Sequence, residues 1–146
     1  MKIISQRNPL WSQHKLGKSN LTIGLFGCTT CCICMVADYF GEYHDPVAMQ
    51  GYQGYTPEGL IIWESLKLKK MKFGKRLRKF DPAEIQVSLK DPKKAVILEV
   101  ENRHWVVALN KLPFVNVYRI ADPWTGTIRL STAYKYISGS AHFYSL

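Results

Sequence analysis

The chain contains one nearly continuous apolar segment, Gly27-Cys28-Thr29-Thr30-Cys31-Cys32-Ile33-Cys34-Met35-Val36-Ala37-Asp38-Tyr39-Phe40-Gly41. It predicts a helix beginning at Cys28 that is apolar on almost every side, and such a helix is buried. Gly27 gives the backbone freedom for a sharp turn into the helix, and Gly41 is predicted to end it in the left-handed conformation. The first turn of a helix stabilises a thiolate through its dipole and free N–H groups. Cys28 is therefore a candidate nucleophile.

The other three cysteines are predicted to be buried hydrophobic residues, as free cysteines often are: Cys31, Cys32 and Cys34. All four cysteines lie between positions 28 and 34, too close together to pair comfortably and with no distant partner. This excludes a disulfide framework and fits a reducing compartment. The histidines are isolated and offer no second zinc-ligand pair, so we expect neither a metal nor another cofactor.

The length of 146 residues fits one domain with its own core. We predict a single domain over residues 1–146, with an irregular N-terminal arm over residues 1–24. No apolar run approaches the roughly 18 to 20 residues of a membrane span. The first residues contain no apolar segment of signal-peptide length, so we expect a cytoplasmic or virion-associated protein.

The net charge of +9 is concentrated in the stretch Lys67 to Lys79, which holds eight basic residues. The favoured interpretation is a solvated basic face or loop. The alternative is a surface for an anionic partner. Few aromatic residues interleave with the stretch and no nucleic-acid motif accompanies it, so we do not expect a nucleic-acid ligand.

The first half of the chain is predicted to be mainly helical. A helix over residues 28–40 is followed by three starts in which proline comes directly after a capping residue. These are Asp45-Pro46, Thr56-Pro57 with a helix to about Lys70, and Asp81-Pro82 with a helix to about Lys90.

The second half changes to strand patterns. The predicted strands are Ala95–Val100, Trp105–Leu109, Val115–Ile120, Thr127–Leu130 and Ala141–Tyr144. Helices followed by consecutive strands indicate an α+β fold, with the buried central helix packed on an antiparallel sheet from the C-terminal half.

Two candidate partners for the cysteine lie at strand ends. His104 precedes the strand Trp105–Leu109, and Asp122 follows the strand Val115–Ile120. Adjacent antiparallel strands would bring these two side chains together. A cysteine nucleophile needs a base, and the base needs an acceptor on its other ring nitrogen. The order Cys28, His104, Asp122 supplies all three in the papain arrangement.

Four short motifs lie in order along the chain: Ser5-Gln6-Arg7-Asn8-Pro9-Leu10-Trp11, Thr22-Ile23-Gly24-Leu25-Phe26-Gly27-Cys28-Thr29-Thr30, His104-Trp105-Val106-Val107-Ala108 and Ala121-Asp122-Pro123-Trp124-Thr125-Gly126. Together they resemble the stand-alone relatives of bacteriocin-processing peptidases, which are found in bacteria and their phages. The related exporter domains remove double-glycine leader peptides and have a papain-like fold.

The resemblance implies a role for each motif residue. Cys28 would be the nucleophile, His104 the base and Asp122 the residue that orients the base. A glutamine upstream of the cysteine would help to form the oxyanion hole. Exporter domains place that glutamine about one and a half helical turns before the cysteine, where this chain has Thr22. Gln6 matches the stand-alone relatives better and is the candidate, with Gln13 as the second choice.

The leading hypothesis is a cysteine peptidase or amidase with a Cys-His-Asp triad. Its substrate would be a double-glycine leader peptide or a peptidoglycan-like cross-link. The alternative is a papain-like binding or structural protein that has lost catalysis and works through its basic surface. A cleft plugged by the chain's own side chains would favour that alternative.

Overall fold

The computed structural model describes all residues 1–146, which form an α+β fold with an antiparallel sheet, as the sequence predicts. The helices are Ile23–Phe26 (α1), Cys28–Tyr39 (α2), Pro46–Met49 (α3) and Pro82–Lys90 (α4). None of them has the length and apolar character that a membrane crossing requires.

The strands form a small hairpin and one larger sheet. The hairpin pairs Gly54–Tyr55 (β1) with Ile61–Ile62 (β2). The strands of the larger sheet are Met71–Leu77 (β3), Lys94–Val100 (β4), His104–Lys111 (β5), Tyr118–Asp122 (β6), Thr127–Leu130 (β7) and Ile137–Ser145 (β8). Their order is β3-β8-β4-β5-β6-β7, and every neighbouring pair is antiparallel.

The helix α2 is buried against one face of this sheet and contacts β5. Ile33 and Met35 are fully buried in the core cluster that also contains Val107 and Phe143. Burial of one large aliphatic side chain contributes about 1.5 to 3 kcal/mol, which outweighs the modest helix propensity of the threonine and cysteine residues. Gly41 follows the helix with a φ of +87°, the left-handed conformation predicted for it.

A second, smaller core lies on the opposite face, beneath α4. Ile85 packs there with strand residues that include Val96 and Tyr118. The helix begins where the sequence predicts, because the Asp81 carboxylate accepts a hydrogen bond from the Glu84 N–H at 3.1 Å. The main sheet therefore has a helix on each face, and α2 is the one that carries the candidate nucleophile.

The predicted helix from Thr56 to Lys70 is wrong. Thr56 instead begins the turn that connects β1 to β2, where its N–H donates to the Leu60 carbonyl at 2.7 Å. Gly59 has a φ of +87°, which fits a turn and not a helix. A helical turn follows only at Trp63–Ser65.

Two other sequence predictions change in position. The basic stretch is not a loop, because Met71–Leu77 forms the edge strand β3, but seven of its eight basic residues are exposed, as expected of a solvated face. The strand predicted at Val115 begins only at Tyr118, since Phe114 has a φ of +67° and the Leu112 N–H donates to the Val117 carbonyl at 2.8 Å. The remaining predicted helices and strands are present, although the strand predicted at Ala141–Tyr144 extends over Ile137–Ser145.

Candidate active site

Cys28 is the first residue of α2, and its side chain lines an open cleft while only 8% of the residue is exposed. Gly27 fits the tight junction between α1 and α2 for a different reason from the one the sequence suggested. Its φ of −88° is open to any residue. A Cβ there, however, would lie 2.6 Å from the Ile23 carbonyl oxygen. The missing side chain allows the junction to close, and it brings Cys28 to the cleft.

His104 is the first residue of β5 and also lines the cleft. Its Nε2 lies 2.8 Å from Asp122 Oδ1. Burial alone would lower the pKa of His104, but hydrogen bonds to Asp122 and Cys28 outweigh that effect and raise it to about 9. Because Nε2 faces Asp122, Nδ1 is the ring nitrogen left to exchange a proton with the cysteine.

Asp122 ends β6 and is fully buried with four hydrogen-bond donors around its carboxylate. Besides His104, the Trp124 backbone N–H donates to Oδ1 at 2.9 Å. Arg129 donates to Oδ2 at 3.1 Å, and the Tyr134 hydroxyl donates to the same oxygen. Burial would raise the pKa of Asp122, but the hydrogen bonds, led by those from His104 and Tyr134, hold it below its usual value. The carboxylate is therefore kept ionised beside the imidazole.

Sequence reasoning missed Arg129 and Tyr134. A signal for Arg129 existed, because Thr127 lies opposite Asp122 on β7 and side chains two positions apart share a face of a strand. Tyr134 follows a helical turn at Ser131–Ala133, and no pattern in the sequence links it to the aspartate.

Gln6 lies beside the cysteine because the N-terminal arm folds back across the site. Its backbone N–H donates to the Pro123 carbonyl at 2.8 Å, and its Nε2 donates to the Gly24 carbonyl at 3.2 Å. The side chain is buried and lines the cleft. Gln13, the second choice, is exposed and does not line the cleft.

The three remaining cysteines of α2 are fully buried in the core: Cys31, Cys32 and Cys34. Burial, reinforced by neighbouring thiols, raises the pKa of each of them well above the usual value. No group of three or more His, Cys, Asp or Glu side chains is arranged to hold a metal ion. Cys28 is thus the cysteine of the helix that meets both the cleft and a histidine.

The cleft has a volume of about 870 Å³ and two unlike walls. The wall formed by the arm, the helices and the β1–β2 hairpin is mostly apolar and includes Leu25, Phe26 and Leu60. The sheet side carries the arginines Arg76, Arg78 and Arg103. The cleft is open. The non-catalytic alternative would be favoured by a cleft plugged by the chain's own side chains, and the structure does not have one.

The hairpin that forms part of the apolar wall is attached to α2 by hydrogen bonds. The Thr30 and Tyr55 hydroxyls lie 2.6 Å apart, and Gln53 Nε2 donates to the Thr30 hydroxyl at 3.1 Å. Burial outweighs these hydrogen bonds and raises the pKa of Tyr55 to about 12. The network fixes the hairpin beside the cleft, two residues after Cys28 in the helix.

Residues 26–134 match the peptidase C39 family, the family of bacteriocin-processing cysteine peptidases. The chain belongs to the peptidase C39 family. It is therefore a cysteine peptidase, a hydrolase that acts on peptides. No curated protein and no solved structure matches the chain.

The matched region of this C39 peptidase contains Cys28, His104 and Asp122, and it ends at Tyr134. Gln6 and the strand β8 lie outside it. The family resemblance drawn from four short motifs is confirmed by this match. The family match does not cover Gln6, so the placement of Gln6 at the cleft is supported by its hydrogen bonds and its position alone.

Proposed function

We propose that this C39 peptidase hydrolyses peptide bonds through a papain-like triad of Cys28, His104 and Asp122. The observation that carries the proposal is the position of His104, whose Nε2 lies 2.8 Å from the buried Asp122 carboxylate while its ring lines the same cleft as Cys28. With a pKa of about 9, the imidazole is protonated at neutral pH and can stabilise a neighbouring thiolate. A paired, cleft-lining thiol of this kind is an activated nucleophile.

The chemistry follows from the two neighbours of His104. The Cys28 thiolate attacks the substrate carbonyl carbon and forms a C–S bond. The C–N bond then breaks as the imidazolium donates its proton to the leaving amine. Neutral His104 next takes a proton from water, which hydrolyses the thioester, releases the carboxylic acid product and restores the thiolate–imidazolium pair. Asp122 keeps the ring oriented throughout by accepting the Nε2 proton in a hydrogen bond.

Two donors are available for the oxyanion that forms during the attack. The Cys28 N–H lies in the first turn of α2, where backbone N–H groups have no partner within the helix. Gln6 Nε2 uses one N–H for Gly24, which leaves its second N–H for the substrate. Preorganised donors of this kind stabilise the charge that develops in the transition state.

Which kind of peptide the enzyme cleaves is inferred from the family resemblance. Double-glycine leader peptides are the precedent from the exporter relatives, and peptidoglycan-like cross-links are the second candidate, since the net charge of +9 suits an anionic wall. Both contain amide bonds of the type that a thiolate attacks.

Alkylation by iodoacetamide tests the nucleophile without a known substrate. We expect Cys28 to label at neutral pH much faster than a cysteine in the denatured chain, while Cys31, Cys32 and Cys34 serve as unreactive internal controls, resolved by mass spectrometry. His104→Ala should slow labelling of Cys28. Hydrolysis of a peptide library and of purified peptidoglycan should disappear in Cys28→Ala. A Cys28 that labels no faster than in the denatured chain, together with unchanged hydrolysis in Cys28→Ala, would overturn the proposal.

A further inference from the structure

The strand β3 forms one edge of the main sheet. It pairs with β8 on one side and has no strand on the other. The backbone N–H and C=O groups along the open side of an edge strand are available to pair with another extended chain. β3 has seven residues, and its register with β8 shifts between Phe73 and Lys75, so the edge consists of two short segments on either side of Gly74.

The segment around β3 carries a linear excess of positive charge. Of its eight basic residues, two are paired with acids: Lys75 with Glu84 at 2.6 Å and Arg76 with Glu99 at 3.1 Å. The other six are exposed and form no ion pair: Lys67, Lys69, Lys70, Lys72, Arg78 and Lys79. Protection of the edge from aggregation accounts for one or two lysines on the strand, but not for a row that extends beyond both of its ends.

The C-terminal end of this row reaches the active-site cleft. Arg76 and Arg78 both line the cleft wall. The Arg76 guanidinium lies 5.8 Å from the centre of the Trp63 ring and 5.4 Å from that of Trp105, the residue after His104. An extended chain bound along β3 therefore leads into the cleft beside the proposed base.

We propose that β3 binds an acidic, extended segment of the substrate as an additional strand, while the scissile bond of the same chain lies at Cys28. The inference rests on the proposed function and assigns it a substrate class, a peptide with carboxylate side chains several residues from the cleavage site. The open backbone groups of β3 match those of a peptide and not a phosphodiester chain. The exposed cations provide the charge complementarity.

Binding is measured in the Cys28→Ala variant of the 146-residue chain, so that hydrolysis plays no part. The probe is a short fluorescent peptide in which Glu alternates with Thr, and the control peptide has Gln in place of every Glu. By fluorescence anisotropy at low ionic strength, we expect the Glu peptide to bind at least about tenfold more tightly than the Gln peptide. The charge reversal Lys72→Glu with Arg78→Glu should weaken binding about tenfold or more.

The matched control is Lys18→Glu with Arg119→Glu, which changes the net charge equally at two exposed residues outside β3, one on the N-terminal arm and one on β6, which three strands separate from β3. It should alter affinity by less than about twofold, because salt screens distant charges. Equal weakening in both double variants would reduce the effect to net charge and overturn the proposal, as would the absence of any binding. Circular dichroism verifies that each variant is folded.

Hydrogen exchange distinguishes strand addition from diffuse attraction and needs no charge variant. Amides of residues 71–77 should exchange more slowly when the Glu peptide is bound. Binding that leaves this exchange unchanged contradicts docking on the edge strand. A single-stranded oligonucleotide that binds equally well, with the same loss in Lys72→Glu/Arg78→Glu, would indicate a general polyanion surface and overturn the peptide assignment. These binding measurements use Cys28→Ala and do not depend on hydrolysis. If the Glu peptide does not bind, the proposed hydrolysis by Cys28 is therefore still tested separately by its own experiment.

Discussion

At His104, burial and hydrogen bonding act on the same ring in opposite directions. Burial favours the neutral imidazole, whereas hydrogen bonds to Asp122 and Cys28 favour the charged form and prevail, with a pKa of about 9. The Asp122 carboxylate can have this effect because four donors keep it ionised inside the protein. The reactivity proposed for Cys28 therefore depends on an aspartate that is fully buried and does not line the cleft.

Replacement of Asp122 by Asn removes the charge and keeps the shape. With burial then dominant, the pKa of His104 should fall by at least one to two units, roughly the effect of losing one close ion pair. Alkylation of Cys28 near neutral pH should slow, and kcat should fall on the order of a hundredfold or more. The pH profile of alkylation by iodoacetamide measures both effects.

Tyr134→Phe is the matched control for this prediction. It removes one donor but leaves the charge and the other three hydrogen bonds of Asp122. We expect a change of less than about tenfold. If Asp122→Asn shifts the profile no further than Tyr134→Phe does, the aspartate is not the source of the raised histidine pKa.

On the scale of elements, the junction of α1 and α2 determines where Cys28 lies. The two helices are separated by one residue, Gly27, whose position is packed against the preceding turn. A Cβ at Gly27 would lie 2.6 Å from the Ile23 carbonyl oxygen and 2.8 Å from the Ile23 Cα. Backbone atoms cannot yield as a flexible side chain can, so α1 would have to move relative to α2.

Gly27→Ala should therefore destabilise the protein by about 1 to 3 kcal/mol, the usual cost of overpacking. It should also slow alkylation of Cys28 by displacing the thiol from His104. Gly51→Ala is the matched control, because the nearest atom to its added Cβ is the Ala48 carbonyl oxygen at 3.4 Å. Guanidinium unfolding gives the stabilities. Equal stability and reactivity of the two variants would contradict this account of the junction.

The elements that carry the three site residues were predictable because their signals are local. The apolar run after Cys28 and the β-branched residues around His104 and Asp122 each indicate one kind of structure. The helix predicted from Thr56 to Lys70 is wrong because Thr56-Pro57-Glu58 resembles a helix start, whereas this segment turns at Gly59 and its ends pair β1 with β2. The pairing of β3 with β8 joins residues about 70 positions apart, and no local sequence pattern predicts it.

At the scale of the whole molecule, the candidate site combines parts from both ends of the chain. The arm supplies Gln6, α2 supplies Cys28, and the sheet supplies His104 and Asp122. The family resemblance pointed to Gln6, and the hydrogen bond from the Gln6 N–H to the Pro123 carbonyl holds the arm beside the cleft. Contacts between segments so far apart in sequence follow from the packed core and not from periodicity.

The other face of the sheet has its own titratable group, His142 on β8. Its ring nitrogens lie 2.7 Å from the Ser88 hydroxyl on α4 and 2.8 Å from the Ser140 hydroxyl. Burial, with a further contribution from Lys75, lowers the pKa of His142 to about 4. Since an unfolded histidine titrates near 6.5, protons bind the unfolded chain more readily between these two pH values.

The free energy of unfolding should consequently fall as the pH drops from about 6.5 to about 4. Neutral His142 contributes its full stabilisation of the folded state only above about pH 6.5. The full difference corresponds to about 3 kcal/mol. His142→Gln should flatten this part of the stability profile, measured by guanidinium unfolding at a series of pH values. The exposed His14 provides the control variant His14→Gln, which should leave the slope in place. A slope that survives His142→Gln unchanged would assign the acid sensitivity to the carboxylates instead, and His142 would then contribute packing alone to the contact between α4 and the sheet.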